Sequence, residues 1–448
     1  MIKVITYGSY DMLHFGHIRL LKRAKALGDY LIVGVTSDDY DKTRGKINLQ
    51  QSLMERIEAV KATGIPDEVI VEEYEGQKID DIKRLDIDIF TVGSDWIGYF
   101  DYLKKYCHVV YLERTQGVSS SQIRAKELEI KIGLVGEEES RILNKYLDES
   151  NVVNGIIVSG ICTQNEKLKE EIGASVPFIT DNYDALLDIS NAVYIISHPS
   201  KHYEQIKTAL LKGKHVLVET PITLNEHQCE ELFKIAHSKK LVLMEALKTA
   251  YATAYNRLLL LIKSGKIGKV ISVDATCTSL REINSEQAGY DQIWNSICAW
   301  GPTALLPIFQ ILGTNYCESK IYTYYLDKQI KFDAFTKIDF AYYNAVASIK
   351  VGRGVKSEGD LVISGTQGYI YVPAPWWKTD YFEIRYENPE NNKRYFYQLD
   401  GEGIRYELVA FAKAIVTGRT LTYINEDVSL AISKVMRKYF ANKNKEII

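Results

Sequence analysis

No two cysteines stand at metal-ligand spacing: Cys107, Cys162, Cys229, Cys277, Cys298 and Cys317 are scattered, with no C-x-x-C among them. That scatter speaks against a zinc site or a disulfide frame and fits the reduced thiols of a cytosolic protein. Long apolar runs are missing too; the longest, such as Val152 to Ile161, fall well short of the roughly 20 residues that cross a bilayer. Met1 to Thr6 leads straight into a strand-like stretch without the apolar core of a secretory leader, so a cytoplasmic location and no membrane insertion are expected. Charge of one sign is scarce: 55 basic against 58 acidic side chains leave a formal charge of -3, which gives no field to draw in a polyanion. Nucleic acid is therefore not an expected partner. With only 9 prolines, long disordered linkers are not expected either.

What is present is material for more than one core. A chain of 448 residues exceeds what a single hydrophobic core usually supports, so two or three domains are expected. From Ile2 to about Glu129, β-branched runs (IKVITYG, YLIVGV, DEVIVE, DIFTVG, HVVYLE) alternate with amphipathic helical stretches, which predicts a parallel sheet with right-handed crossovers. A second strand-then-helix series begins at Lys131–Gly136, passes through GIIVSGI, NAVYIIS and HVLVETP, and ends near Leu243. After a helix reaching Gly265, the stretches VISVDATCTS, KIYTYYL, FAYYNAVASIKVG, GDLVISGT and GYIYVPA predict a mostly antiparallel sheet, helix-covered on one face and open on the other.

The first strand runs into Gly8-Ser9-Tyr10-Asp11-Met12-Leu13-His14-Phe15-Gly16-His17, and Ile18 to Leu27 reads as a helix. This places two histidines at the top of a sheet and the start of a helix, where backbone N–H groups and the dipole favour phosphate. Gly8 and Gly16 let the backbone approach such a ligand. A spacing of three puts both imidazoles on one side of the first turn, aimed at oxygens whose charge grows when phosphorus becomes five-coordinate. The competing reading is a pair of core or capping histidines.

Residues 6–17 resemble the H-x-G-H segment of the glycerol-3-phosphate cytidylyltransferases. Gly93-Ser94-Asp95-Trp96-Ile97-Gly98-Tyr99-Phe100-Asp101 resembles that family's G-D-D-W-x-G-x-F-D, and Arg114-Thr115-Gln116-Gly117-Val118-Ser119-Ser120-Ser121 its R-T-E-G-I-S-T-T. The likeness covers the whole first domain. It implies cytidylyl transfer from CTP, carried with Mg²⁺ and no protein metal ligands, to a small phosphorylated polyol or sugar, with a product destined for wall or capsule polymer.

His14, His17, Lys46 and Arg114 are then the expected transfer groups. Gly8, Ser9, Tyr10, Asp11, Gly16, Arg44, Asp95, Thr115, Ser119 and Ser120 are expected around the nucleotide. Competing readings are an Arg114–Glu113 surface pair, a helix cap for Asp95 and solvated charge for Arg44 and Lys46, whose register is shifted by an apparent one-residue length difference. Arg56 either reaches the same site or pairs with an acid. Ser9, Tyr10, Phe15 and Ser94 depart from the family's Thr, Phe, Trp and Asp and so put the acceptor's identity in question.

Residues 131–448 resemble the glucose-fructose oxidoreductase and inositol dehydrogenase family, most clearly from Asn191 through His198-Pro199 to Glu219-Thr220-Pro221. Fold does not transmit activity. Glu138 stands where the family's second loop glycine belongs and would repel a pyrophosphate. Thr220 replaces its catalytic lysine, and alignment sets Ala299 and Thr303 at its aspartate and histidine.

The expected fold is α/β: a Rossmann-like nucleotidyltransferase domain (1–128), a second, degenerate Rossmann-like domain (129–246), and an α+β domain with an open-faced antiparallel sheet (247–448). NAD(P) is not an expected cofactor, and homo-oligomerisation through the open face is expected. The alternatives are a bifunctional reductase and cytidylyltransferase, and a scaffold or nucleotide sensor without turnover.

Overall fold

The computed structural model describes residues 1–38, 49, 51–74, 76–113, 129–136, 140–153, 155–172, 176–280, 295–327, 329, 331–397, 399, 401–418 and 423–448. It divides into two compact units, Met1–Glu129 with Val153–Gly155, and Ile130–Val152 with Ile156–Ile448.

In the first unit the apolar runs form β1 (Lys3–Gly8), β2 (Tyr30–Thr36), β3 (Glu68–Glu72), β4 (Ile89–Gly93) and β5 (His108–Leu112). Between them lie α1 (Phe15–Lys25), α2 (Leu53–Ala62) and α3 (Gln77–Leu85). All strand pairs are parallel, in the order β3-β2-β1-β4-β5. Helices cover both faces, which is why β2 is buried from Leu31 to Thr36 and shows no alternation. One face packs Val4, Leu31, Val33 and Val35 against Leu21 of α1 and Val60 of α2. The other packs Ile5, Tyr7, Ile32 and Phe90 against Ile82 of α3. Because β1 pairs with β2 on one side and β4 on the other, the loops after β1 and β4 flank the switch point, where parallel sheets open a crevice.

The second unit begins with β6 (Ile130–Val135), β7 (Ile156–Cys162), β8 (Ile179–Thr180), β9 (Ala192–Ile195), β10 (His215–Glu219) and β11 (Leu243–Ala246). They are parallel, ordered β11-β10-β9-β6-β7-β8, with the switch point between β6 and β9. The intervening helices are α4 (Ser140–Val152), α5 (Glu166–Ile172), α6 (Tyr183–Ile189), α7 (Pro199–Leu211) and α8 (Glu226–Lys239), followed by α9 (Lys248–Tyr251) and α10 (Thr253–Lys263).

The third sheet uses β12 (Val270–Leu280), β13 (Glu318–Asp327), β14 (Phe332–Ala341), β15 (Val346–Gly352), β16 (Gly354–Val355), β17 (Leu361–Gly365), β18 (Tyr369–Val372), β19 (Tyr381–Arg385), β20 (Lys393–Phe396) and β21 (Lys445–Ile447). Its order is β20-β19-β18-β17-β12-β15-β14-β13-β21, with β16 on β12. The sheet is mixed: β12 pairs with β15 and β13 with β21 in parallel, and the rest are antiparallel. Helix α11 (Ser296–Leu312) packs on β12, β14 and β15. Tyr324, Val346, Tyr369 and Phe396 stand exposed on the strands.

The closing helices, α12 (Ile404–Thr417) and α13 (Glu426–Phe440), return to the parallel sheet. Ser429 bonds Glu245 at 2.5 Å, Arg437 bonds Glu226 at 2.6 and 2.8 Å, and Arg405 bonds Glu149 at 2.6 and 3.0 Å. Those ties fuse the two sheets into one unit. Among the described residues no helix is long and apolar enough to cross a membrane.

Candidate active site

Helix α1 starts at Phe15, three residues before the sequence pattern places it, because His14 is its N-cap. The His14 backbone is extended and its Nδ1 accepts the Gly16 N–H at 3.0 Å. A ring nitrogen that accepts must be unprotonated, so the neutral ring carries its proton on Nε2, at the far edge. The capping reading is what the structure shows, and it leaves Nε2 as the donor edge of the ring. His17, one turn on, lies parallel to it, with ring centroids 4.0 Å apart and planes within 18°.

Tyr10 closes the other side, edge-on to His17 at 5.5 Å and fully buried. Its ring lies against Gly8, where a Cβ would come within 3.1 Å of it. The glycine at position 8 therefore makes room for Tyr10 as well as for any ligand. Tyr10 and Met12 have positive φ, 51° and 49°, a strained state for residues with side chains.

The loop is fastened from α2. Asp11 is turned inward and accepts the Gln51 backbone N–H at 3.0 Å, while the Gln51 side-chain oxygen accepts the Met12 N–H at 2.8 Å. Ser52 and Glu55 form a reciprocal capping box at the helix start. Arg56, fully buried, donates to the carbonyls of Ser9 at 2.7 Å and Thr36 at 2.8 Å and pairs with Asp38. Of the two readings for Arg56, the structure has the pairing with an acid, and the guanidinium ties the loop after β1 to the end of β2.

Behind the loop lies a polar layer with no signature in linear spacing. Tyr7 donates to Asp81 at 2.9 Å, Gln77 reaches the same carboxylate at 3.0 Å, and buried Lys78 pairs with buried Glu72, 4.7 Å from the Tyr7 ring centroid. Burial and the Asp81 charge push the Tyr7 phenol far up, so it stays a donor. Asp95 lies in the turn Ser94–Trp96 after β4, across the switch point. Arg44, Lys46, Arg114, Thr115, Ser119, Ser120 and Glu138 lie outside the described residues. Among those described, no three His, Cys, Asp or Glu side chains gather as a metal site.

The second unit has a different inventory at its own switch point. A cavity of about 250 Å³ is lined there by Gly136, Thr163, Gln164, Ser197, Lys201 and Gln205 among others. The Thr220 hydroxyl is not presented for chemistry: it donates at 2.7 Å to buried Glu245, which also holds Ile222 N–H and Ser429. Ala299, Trp300 and Thr303 are the half-exposed positions of the first turns of α11, and Trp300 meets Trp377 edge-on at 4.9 Å.

Nearby is a charged cluster that sequence reading missed, since its five members come from five elements. Tyr194 donates toward Glu219 at 3.1 Å and Glu407 at 2.5 Å; Tyr146 also bonds Glu219; Lys248 lies 3.1 Å from Tyr146 Oη and 3.8 Å from Glu219. Burial, then the Glu219 charge, pushes Glu407 up to about 8 against the opposing effect of Lys248. At neutral pH Glu407 therefore keeps its proton.

A parallel sheet that delivers two stacked imidazoles at a helix start beside its switch point defines a nucleotidyltransferase. Residues 5–126 match the cytidylyltransferase-like family, and residues 130–247 match the oxidoreductase family with an NAD-binding Rossmann fold. Over 124 residues, 28% of this chain, it is 48% identical to glycerol-3-phosphate cytidylyltransferase of Bacillus spizizenii, 95% of which is covered. For the Staphylococcus aureus glycerol-3-phosphate cytidylyltransferase the figures are 44% over 128 residues, with 93% of that protein covered. Through its first unit, the chain belongs to the cytidylyltransferase-like family.

Among solved structures, the 3-ketoreductase KijD10 from Actinomadura kijaniata, in complex with NADP and TDP-benzene, superposes with a TM-score of 0.63 at 18% identity. It covers 71% of this chain and 99% of its own. UDP-N-acetylglucosamine 3-dehydrogenase GnnA from Acidithiobacillus ferrooxidans gives 0.57 at 17%, covering 69% and 96%. At such identities the likeness establishes fold alone.

Proposed function

We propose that this cytidylyltransferase acts on a small phosphorylated polyol or sugar, yielding a CDP-linked product and pyrophosphate for cell-surface polysaccharide. The stacked pair His14 and His17 at the start of α1 carries the reading. An acceptor phosphate monoester is already ionised near neutral pH, so no strong base is needed and the protein's work is positioning and charge neutralisation. The Nε2–H of His14 and the His17 ring stabilise the charge that grows on the α-phosphate oxygens. Arg44, Lys46 and Arg114 take the remaining phosphate oxygens on the strength of their motifs. Mg²⁺ carried by the triphosphate would supply further neutralisation.

Ser9, Tyr10, Phe15 and Ser94 leave glycerol 3-phosphate as one acceptor among several. Mass spectrometry of reactions of CTP with a panel of phosphorylated acceptors tests the proposal: a CDP-linked product is expected, and none with any acceptor would favour the sensor reading. Competition among the four nucleoside triphosphates checks the base.

For the second unit we propose a retained fold with a changed role, assembly of a cytoplasmic homo-oligomer through the open sheet face. Support comes from Thr220 tied to Glu245, from Ala299 and Thr303 on α11, and from Glu138 in the sequence. Glu138 beside the loop glycine would repel a pyrophosphate, so no nicotinamide coenzyme is expected to bind there. The cavity at the β6–β9 switch point favours the second reading, a reductase that makes the acceptor. Fluorescence titration with NADPH decides between them: no binding is expected, and tight binding would overturn the proposal.

A further inference from the structure

The start of α2 supplies fixings to three residues of the histidine loop. Arg56 holds the Ser9 carbonyl at 2.7 Å, and Gln51 holds the Asp11 carboxylate through its backbone and the Met12 N–H through its side chain, at 3.0 and 2.8 Å. The residues between and beside these fixings, Tyr10 and Met12, are the two that carry left-handed backbone. Such conformations persist only where the surroundings over-determine them, and they gather where geometry serves function. His14 comes two residues after Met12. A relaxation of Met12 toward ordinary backbone would rotate the chain entering the N-cap, and with it the plane in which both imidazoles lie.

We propose that Gln51 is a positioning residue for cytidylyl transfer: its side-chain oxygen holds Met12 in the left-handed state and so aims His14 and His17. The proposal rests on the reading of the two histidines as the transfer groups. Gln51 differs from Arg56 in one respect that makes it testable. Arg56 is wholly buried and satisfies two carbonyls, so its loss would disturb folding, whereas Gln51 is half-buried at the surface and its backbone bond to Asp11 survives any side-chain change.

The test compares Gln51→Met, which keeps the shape and removes the acceptor, with Gln51→Glu, which keeps an acceptor oxygen at the same reach, and with His14→Ala. All are made in the full chain and assayed with CTP and the best acceptor. Small misplacement of catalytic groups is expensive, so Gln51→Met is expected to lower kcat about tenfold, with KM for CTP changed less than about twofold and the melting midpoint within about 2 °C. Gln51→Glu is expected to restore kcat to within about threefold of the parent.

An unchanged kcat in Gln51→Met overturns the proposal. So does a loss confined to KM, which would make Gln51 a nucleotide contact, or a loss matched by a large fall in melting midpoint and not rescued by Gln51→Glu, which would make it structural. The control separates the two levels: His14→Ala inactive with Gln51→Met normal removes the Gln51 role alone, while full activity in His14→Ala removes the histidine reading and this proposal with it.

Discussion

Both parallel sheets offer a switch point, one beside the loop after β1 and the other beside the loop after β6, but they furnish them differently. At the first, side chains with proton-donating edges converge: two imidazoles 4.0 Å apart at a helix start, with a buried guanidinium fixing the loop beneath them. At the second, a cavity lined by Gly136, Thr163, Ser197, Lys201 and Gln205 opens at the strand ends, and elsewhere in the unit the hydroxyl at position 220 is turned toward a buried carboxyl. The same topology thus carries paired imidazoles at one site and a cavity lined by Lys201, Asp181 and Tyr183 at the other. Activity follows the side chains, because a crevice at strand ends is a property of any such sheet.

The sharpest way to break this contrast is to remove one imidazole. His17→Ala is expected to lower cytidylyl transfer about a thousandfold, the scale of losing an aligned donor, and Trp300→Ala to leave it unchanged. Comparable losses in both, measured as pyrophosphate release, would mean that the second unit takes part in the chemistry. Next in size is the Glu72–Lys78 pair: Lys78→Met leaves a buried carboxylate without its cation, and the first unit should lose roughly 3–5 kcal/mol in urea unfolding.

The third prediction concerns pH. Glu407 faces Tyr194 from β9, Glu219 from β10, Tyr146 from α4, and Lys248 and Tyr251 from α9. Below its ordinary value of 4.5 it is protonated in folded and unfolded chains alike; from there to about 8 only the unfolded chain releases the proton. Stability of the second unit therefore falls as pH rises through that window, and its melting midpoint should drop by roughly 4 °C or more between about pH 5 and about pH 9. Glu407→Gln should flatten the profile, and an unchanged slope would show that the carboxyl is ionised throughout. The smallest effect is expected from Thr220→Lys, which costs about 1–3 kcal/mol through the lost bond to Glu245 yet produces no NADPH oxidation. Measurable oxidation would place the unit one residue away from an active reductase.

Much of this was legible in the linear sequence. The β-branched runs separated by amphipathic helices give the two parallel sheets, and H-x-G-H marks the turn from β1 into α1, where His14 caps the helix. Other features were not legible, each for a physical reason. Alternation reports that a strand is half-buried but not which neighbour it pairs with or in which direction, so the parallel β12–β15 pairing in a mostly antiparallel sheet went unread. Asp11 and Gln51 are 40 residues apart, and the Glu219–Glu407 cluster spans nearly the whole second unit. Spacing encodes local geometry, and these contacts exist only after the chain has folded.

Histidine is a poor choice for opening a helix; serine, asparagine and aspartate do it better. The first unit nevertheless begins α1 with His14, and a ring nitrogen spent on Gly16 settles the tautomer before any substrate arrives. Local robustness has been traded for a preset donor. A stabilised domain with His14→Asn would gain a firmer helix start and lose the ring proton that the proposed transfer uses.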